Sequence, residues 1–489
     1  MLTPTGLPVT SERGRHLLKQ KDFEAAEQVF RALLQQDHPK TSWSANLALA
    51  LKGQGRLTEA AGLLEAACTA APHRAPLYYN LGNVYRDLDA FDAAEQAYQR
   101  TLELDPDHAK ARMNLGLTAY DREQFDAAAQ TFTELTARVP GNAEAHMNLG
   151  HALRAAGQFD AAAGAFEKAV SILPENVNLR LLAFEALQNA RRLDRAWPHY
   201  EWRLKSRESY APELKLPRWA GEPFDGKTLL ILAEQGLGDQ VQFVRYAALA
   251  KRRGGTVVAQ GAETLVNLLA TCPGVDCAVP RHIIPAGVDL VIPVASLPAV
   301  FATNVDTVPD RTPYLFAEAD RTARWRNLLA GTPGLKVGLN WEGNRNNVAG
   351  RPRAVPLKTL NPLGSVPGAR FFSIQIEHGR DQLGDWTAPA PLTDLGRFVK
   401  SYDDTAALMV NLDLIITNDT SVAHVAAALG KPVWMLLPTR GCWRWIERDG
   451  RSLWYPTLRV FRQHTEGDWE PPVHEVTEAL RHAVIHGLT

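Results

Sequence analysis

Along the first part of the chain the apolar positions recur on a fixed step. Phe23, Leu57, Phe91, Phe125 and Phe159 stand 34 residues apart, and a second column, Phe30, Leu64, Tyr98, Phe132 and Phe166, keeps the same spacing. Asn46, Asn80, Asn114 and Asn148, each followed by leucine, share the period, and Pro72, Pro106, Pro140 and Pro174 close successive units. Within each unit the apolar residues follow the helical rhythm with one interruption, which predicts two short helices and a turn. Gly82, Gly116 and Gly150, with the alanines after each aromatic, let the two helices approach while a ring fills the gap. A single pair cannot bury that face alone, so the pairs must stack into a superhelix with a concave surface. About five units run from Thr10 to Pro174, and a degenerate sixth keeps Leu193 and Tyr200 in the aromatic columns, which ends the array near residue 210.

The order NLG, FDAA, aromatic residue, proline resembles the tetratricopeptide repeat, and a superhelix of that kind suits an extended peptide or a protein partner. The column residues read as core. Asn80, Asn114 and Asn148 have two readings: they line the concave groove and hydrogen-bond a peptide backbone, or they bond the neighbouring helix.

Beyond a connector that contains proline and glycine, the pattern changes. TLLILAE (residues 228–234) is a continuous apolar run of strand length, followed by the turn QGLGD and the helical stretch VQFVRYAALAKR. GTVVAQ, ETLVNLLATC, VDLVIP and ASLPAVFA continue the alternation. A second series follows the helix-like ARWRNLLAG, with strands in KVGLNW, RFFSIQ, DLIIT and KPVWMLLP. Strand and helix alternate as parallel, doubly wound sheets require. The chain thus divides into a repeat array (1–210), a connector (211–227) and two Rossmann-like lobes (228–332 and 333–489). Ligands of such sheets bind beyond the carboxyl ends of the strands, which directs attention to the loops after Leu232, Asn340, Gln375, Ile416 and Leu437.

Three of these loops carry candidate chemistry. In EQGLGD, Asp239 stands at or just inside a helix start, either as a cap or as a carboxylate able to take a proton from an attacking hydroxyl. NWEGNRNNVAGRPRAVPL brings Asn340, Trp341, Asn344 and three arginines, Arg345, Arg351 and Arg353, into one loop. A guanidinium fork matches a diphosphate, whereas the plain alternative is a solvated basic loop. In NDTSVAHVAAALGKP a helix begins after Asp419 or Thr420. Its first-turn N–H groups with the Thr420 and Ser421 hydroxyls would cradle a phosphate, or one of these residues simply caps the helix. A cap does not need the imidazole of His424 one turn in.

Composition narrows the field. Lys plus Arg is 53 against 54 for Asp plus Glu, a net charge of −1, so no global field exists to hold nucleic acid or an anionic membrane. Cys68, Cys272, Cys277 and Cys442 are scattered and lack the spacing of a zinc site or a disulfide framework. The start MLTPTGLPVTSERGRHLL has no leader pattern and no stretch is apolar for long enough to span a bilayer, which predicts a cytoplasmic protein. The chain has neither GxxxxGK[ST] nor GxGxxG with an acidic partner, which argues against a P-loop ATPase and a dinucleotide dehydrogenase. Asp403 and Asp404 precede a helix and read as capping residues, and neither a metal nor a cofactor is expected.

GLGDQVQFVRY, NWEGN with RPRAVPL, FFSIQ, the run from DDTAALMV to GKPVW, and then WRWI, WYPTLRVFRQ and GDW together resemble the bacterial glycosyltransferases related to the heptosyltransferases, in the branch that carries tetratricopeptide repeats. The same combination is similar to the O-linked N-acetylglucosamine transferases and the flagellin-modifying transferases. The resemblance implies a GT-B fold and inverting, metal-independent transfer from a nucleotide sugar, which is a substrate and not a cofactor. It assigns Asp239 as the catalytic base and Thr420, Ser421 and His424 as the segment holding the donor phosphates, with Arg353 neutralising the leaving diphosphate. Asn340, Trp341, Asn344, Gln375 and Asp419 complete the expected donor site. Ser421 replaces a glycine of the heptosyltransferases and the first lobe is short, so the expected acceptor is a Ser or Thr of a protein, flagellin among the candidates, guided by the repeats. The alternatives are a non-catalytic repeat scaffold and a transferase acting on glycan or lipid. The loops around Trp341, Gln375, Arg440 and Trp443 would set base and sugar preference.

Overall fold

The computed structural model describes residues 9–36, 41–205, 215–346, 352–439 and 442–488. The chain forms two compact units, Met1–Ala186 and Leu187–Thr489.

The first unit is built of successive helix pairs: α1 (Ser11–Gln20) with α2 (Phe23–Leu34), α3 (Thr41–Gly53) with α4 (Leu57–Ala70), α5 (Ala75–Asp87) with α6 (Phe91–Leu104), α7 (Ala109–Asp121) with α8 (Phe125–Arg138), and α9 (Ala143–Ala155) with α10 (Phe159–Ile172); α11 (Val177–Asn189) follows. The Phe23 column opens the second helix of every pair, and the Phe30 column is fully buried in every repeat. A Cβ added to Gly82, Gly116 or Gly150 would lie 2.6, 2.6 and 2.7 Å from the Tyr98, Phe132 and Phe166 rings. Only a hydrogen fits between such a helix backbone and its ring.

The column also reaches further back than expected. A Cβ added to Gly14 would lie 2.6 Å from the Phe30 ring, and Ala48 occupies the intervening position, where the facing column residue is the smaller Leu64. One step past Gly150 the position is taken by Phe184, so the close approach that defines a unit is not repeated there. The compact unit ends at Ala186.

The second unit begins with α12 (Leu193–Tyr200) and a 3-10 turn over Glu201–Lys205. The first lobe follows with β1 (Thr228–Leu232), α13 (Leu237–Phe243), α14 (Ala247–Lys251), β2 (Thr256–Gly261), α15 (Val266–Ala270), β3 (Cys277–Pro280), β4 (Leu290–Pro293) and α16 (Leu297–Val300). After α17 (Ala319–Leu329) come β5 (Leu335–Asn340), β6 (Ala369–Ser373), β7 (Leu392–Asp394), α18 (Tyr402–Met409), β8 (Leu414–Asn418), α19 (Ser421–Ala428), β9 (Val433–Leu437), β10 (Glu447–Arg448), β11 (Arg451–Ser452), β12 (Leu458–Arg462) and α20 (Glu470–His486).

The first sheet has the order β3-β2-β1-β4, with all neighbours parallel. The second has the parallel order β7-β6-β5-β8-β9-β12, extended at the β12 edge by the antiparallel β11 and β10. Read by order of appearance, its six parallel strands run 3-2-1-4-5-6, the dinucleotide-fold order, and the first sheet is the matching 3-2-1-4 fragment. The order of strand addition reverses between β5 and β8 and again between β1 and β4, and a crevice opens beside the carboxyl ends of each pair. Asp403 and Asp404 lie within the first turn of α18, whose cap is Ser401, accepting from Asp404 N at 3.3 Å. The cap position is thus Ser401; Asp404 accepts from Lys400 N at 3.1 Å in the turn before the helix and faces Arg321 at 2.6 Å, and Asp403 accepts from Asn267 at 3.0 Å.

The Gly116→Leu variant should lose at least about 1–3 kcal/mol of stability, because its side chain has no space beside Phe132. Gly141→Ala is the control, since an added Cβ there meets nothing within 4 Å. Urea denaturation followed by helical circular dichroism separates the two.

Candidate functional site

The crevice of the second lobe is organised by one asparagine. Asn340, at the end of β5, accepts hydrogen bonds from the Thr417 and Thr420 hydroxyls at 3.0 and 3.1 Å and donates to Gln375 Oε1 at 2.8 Å. Gln375, beyond β6, also accepts from the backbone N–H groups of Trp341 (2.9 Å) and Glu342 (3.1 Å) and donates to the carbonyls of Glu342 (2.7 Å) and His378 (2.6 Å). The ends of β5, β6 and β8 are thereby locked in one polar network. The side chains of two expected donor residues stand outside it. Trp341 is fully buried in the core with its Nε1 on the Gly379 carbonyl at 3.2 Å, so it holds the loop from inside. Asn344 is exposed, its Oδ1 accepting from Asn346 N at 2.9 Å. Arg351 and Arg440 lie outside the described residues.

Thr420 occupies the cap position of α19 but makes no side-chain capping bond, and its hydroxyl donates to Asn340. Ser421, the first helical residue, shares a 2.6 Å hydrogen bond with the Tyr402 hydroxyl. The first-turn N–H groups of α19 are thus left without a side-chain cap, and the helix start retains its partial positive charge. Asp419 turns away from the helix: its Oδ1 accepts from Trp445 Nε1 at 2.6 Å and its Oδ2 lies 3.3 Å from Arg353 Nε. The Arg353 carbonyl accepts from Asn418 Nδ2 at 2.8 Å, which fixes that arginine beside the helix start.

The GLGD turn of the first lobe meets this segment directly. Asp239 is the third residue of α13; its Oδ2 accepts from Gly236 N at 3.1 Å, closing the turn, and its Oδ1 accepts from Arg444 Nε at 2.5 Å. A Cβ on Gly238 would lie 2.6 Å from His424 Cδ2, so the backbone of the turn rests against the imidazole. His424 stacks on Trp445 (ring centroids 4.3 Å apart) and shares a 3.0 Å hydrogen bond with the Tyr455 hydroxyl. Burial, reinforced by Arg444, Arg245 and Arg353, pushes its pKa well below the usual histidine value, so the ring is neutral.

Arg245 of the first lobe completes the junction, donating to the Trp454 carbonyl at 2.5 Å, the Pro309 carbonyl at 3.0 Å and the Tyr314 hydroxyl at 2.8 Å. The sequence reading places Asp239 and NDTSVAH on opposite sides of a cleft. The structure brings them into contact, with the space between taken by the side chains of Arg444, Trp445 and Tyr455.

Several residues of this arrangement escaped the sequence reading. Arg444 is held over Trp443 at 4.3 Å, and Trp443 packs on Tyr200 at 5.2 Å. Glu234, at the end of β1, takes Arg203 at 3.0 and 2.5 Å and the Ala295 N–H at 3.0 Å, while Arg203 also reaches Ser296 Oγ at 2.7 Å. The crevice between β1 and β4 is therefore filled by an arginine from the segment ahead of the lobe. The signal available was positional: WRWI follows the carboxyl end of β9, and EQGLGD begins with a glutamate at the end of β1.

In the repeat array Asn114 donates to Asn83 Oδ1 at 2.7 Å, and Asn148 Nδ2 lies 3.2 Å from Met113 Sδ, both on neighbouring helices; Asn80 is half-buried. Among the described residues no three His, Cys, Asp or Glu side chains gather as a metal-ligand set, and no helix is long and apolar enough to cross a membrane.

Comparison with known proteins agrees with this architecture. Tetratricopeptide repeat signatures match residues 11–75, 75–108 and 115–177. The signature of glycosyltransferase family 9 (heptosyltransferase) matches residues 401–436, the stretch from α18 into β9 that contains NDTSVAH. Protein FlbA of Caulobacter vibrioides is 28% identical over 320 residues, covering 58% of this chain and 52% of FlbA, so the chain spans about half the length of that curated relative. Among solved structures, MamA aligns at 25% identity over 33% of this chain and 94% of its own, with a TM-score of 0.31. YrrB, a TPR protein with an unusual peptide-binding site, aligns at 24% identity over 36% of this chain and 88% of its own, also with a TM-score of 0.31. The chain is a tetratricopeptide-repeat protein with a glycosyltransferase-like α/β unit. Its likeness to family 9 is carried by the segment at the β8–α19 junction.

Because the folded pKa of His424 is depressed, the unfolded chain takes up a proton first as pH falls below the ordinary histidine value of 6.5. The stability of this unit should then fall by up to about 1.4 kcal/mol per pH unit on that account. Thermal denaturation of wild type and His424→Asn between pH 5 and 8 checks this: the advantage of wild type should be constant above pH 7 and shrink below pH 6.

Proposed function

We propose that the protein is an inverting, metal-independent glycosyltransferase that moves a sugar from a nucleotide sugar to a Ser or Thr of a protein recruited by the repeats. The observation that carries this reading is the uncapped start of α19 flanked by Arg353 and Arg444, with the Asp239 carboxylate alongside. A helix start and two guanidiniums supply the positive field that a departing diphosphate needs, the service a divalent cation performs in metal-dependent transferases.

In this mechanism Thr420, Ser421 and the first-turn N–H groups hold the donor diphosphate, with Arg353 beside them. The Asn340–Gln375 network keeps the strand ends rigid, and neutral His424 positions the GLGD turn. The acceptor hydroxyl forms a bond to the anomeric carbon as the bond from that carbon to the phosphate oxygen breaks. Its proton passes to Asp239, and the electron pair leaves with the nucleoside diphosphate. Attack from the face opposite the leaving group inverts the anomeric centre. The stacked repeats supply a surface for a protein acceptor, for which flagellin is the first candidate. We place the reaction in the cytoplasm, the compartment that makes nucleotide sugars.

A second reading, a repeat scaffold whose transferase unit no longer turns over, is favoured by the same carboxylate being held by Arg444. Incubation with purified flagellin and a panel of UDP-, GDP-, CMP- and ADP-sugars, read by intact mass, separates the two. Wild type should add one or more sugar masses, and Asp239→Asn should slow transfer by about 10²–10⁴-fold, the usual contribution of a general base. Transfer by Asp239→Asn at the wild-type rate would remove Asp239 as the base. Partner binding without turnover of any donor would favour the scaffold.

A further inference from the structure

The two guanidiniums beside the start of α19 are each occupied by a carboxylate of the protein: Arg353 by Asp419 at 3.3 Å and Arg444 by Asp239 at 2.5 Å. These two pairs differ in kind. Asp419 is fixed by a second bond, from Trp445 Nε1 at 2.6 Å, and faces away from the helix. Asp239 is the candidate base, and both of its oxygens are engaged, one by Gly236 N within its own turn and the other by Arg444. Each oxygen already accepts one hydrogen bond, so an acceptor hydroxyl that approaches Oδ1 competes with Arg444 for it.

Arg444 is built to leave. Its other hydrogen bond goes to the Cys442 sulfur at 3.0 Å, and burial pushes that thiol's pKa up, so Arg444 meets it as a neutral and weak acceptor. The side chain is 17% exposed, against 7% for Asp239. The next residue, Trp445, is bound to Asp419 at the start of α19 and stacked on His424. The backbone of Arg444 is therefore anchored next to the helix start while its side chain reaches the opposite lobe.

Resting on the donor-site reading above, we propose that Arg444 is an exchangeable counter-ion: it holds Asp239 when no diphosphate is present and moves to the donor diphosphate when one binds. A nucleoside diphosphate carries more negative charge than a carboxylate and offers the planar fork several oxygens. Its arrival draws Arg444 off Asp239 and frees Oδ1 for the acceptor hydroxyl. The base is thus uncovered only in the donor complex, which imposes donor-before-acceptor order.

The exchange predicts an unusual sign. Asp239 competes with the diphosphate for Arg444, so removing its charge should strengthen diphosphate binding while slowing transfer. Calorimetric titration of the full chain with UDP, GDP, CDP and ADP identifies the diphosphate that binds wild type. That ligand should bind Asp239→Asn about tenfold more tightly and Arg444→Gln about tenfold more weakly, and the double variant no more tightly than Arg444→Gln. The parent nucleoside, which brings no phosphate, should bind wild type and Asp239→Asn equally. Equal or weaker diphosphate binding by Asp239→Asn, or tightening that persists in the double variant or extends to the nucleoside, overturns the exchange and leaves the donor site standing. Failure of every diphosphate to bind wild type overturns both. Should Arg444→Gln fail to fold, the comparison of Asp239→Asn with wild type decides the sign alone.

Discussion

A neutral imidazole pressed against a glycine holds the two lobes in register. His424 rests against the backbone of Gly238, stacks on Trp445 and bonds Tyr455, so one side chain touches the GLGD turn, the loop after β9 and the segment before β12. Its neutrality is a condition of that packing. Three guanidiniums, those of Arg444, Arg245 and Arg353, surround it, and a charged ring there would add a fourth cation to a site already short of anions. Gly238 is equally constrained, because any side chain would drive the turn away from the ring and separate Asp239 from Arg444. The polar residues at the carboxyl ends of both sheets are thus brought together by a contact between two uncharged groups.

The repeat array follows a similar rule with simpler means. Each unit depends on a glycine or alanine lying under a large side chain sixteen positions later, as Gly116 lies under Phe132, and the requirement is local enough to be visible as a period in the chain. The array was legible for that reason. Past Gly150, Leu193 and Tyr200 preserve the aromatic columns while Phe184 stands where the earlier units have a small residue, so the period of the large residues outlasts that of the small ones.

The sheets and loops were legible in another way. Strands such as Leu414–Asn418 and Val433–Leu437 are buried along their whole length and read as apolar runs, and strand order then places Asn340 beside Thr417 and Thr420 at a point of reversal. The side-chain pairings were not legible. Arg444 and Asp239 are 205 residues apart and Arg203 and Glu234 are 31 apart, and no spacing rule joins an arginine of one loop to a carboxylate of another. Trp341 misled because an aromatic residue at a strand end suits both a binding loop and a core. Only its complete burial separates the two. The short strands Leu392–Asp394, Glu447–Arg448 and Arg451–Ser452 carry too few residues to show any alternation.

The buried ion pair at the junction has consequences beyond holding the fold. Removing two charges from water costs about as much as their attraction returns, so Asp239 and Arg444 contribute little net stability as a pair, yet loss of either partner alone strands a buried charge at a cost of about 3–5 kcal/mol. Such a pair is stable only as long as nothing better is offered to either member. A diphosphate offers Arg444 a stronger partner, and the carboxylate left behind is then poorly solvated and short of a cation. The near balance of the resting pair is therefore what lets a diphosphate part it, and the carboxylate is uncovered at the point where an acceptor hydroxyl must give up its proton.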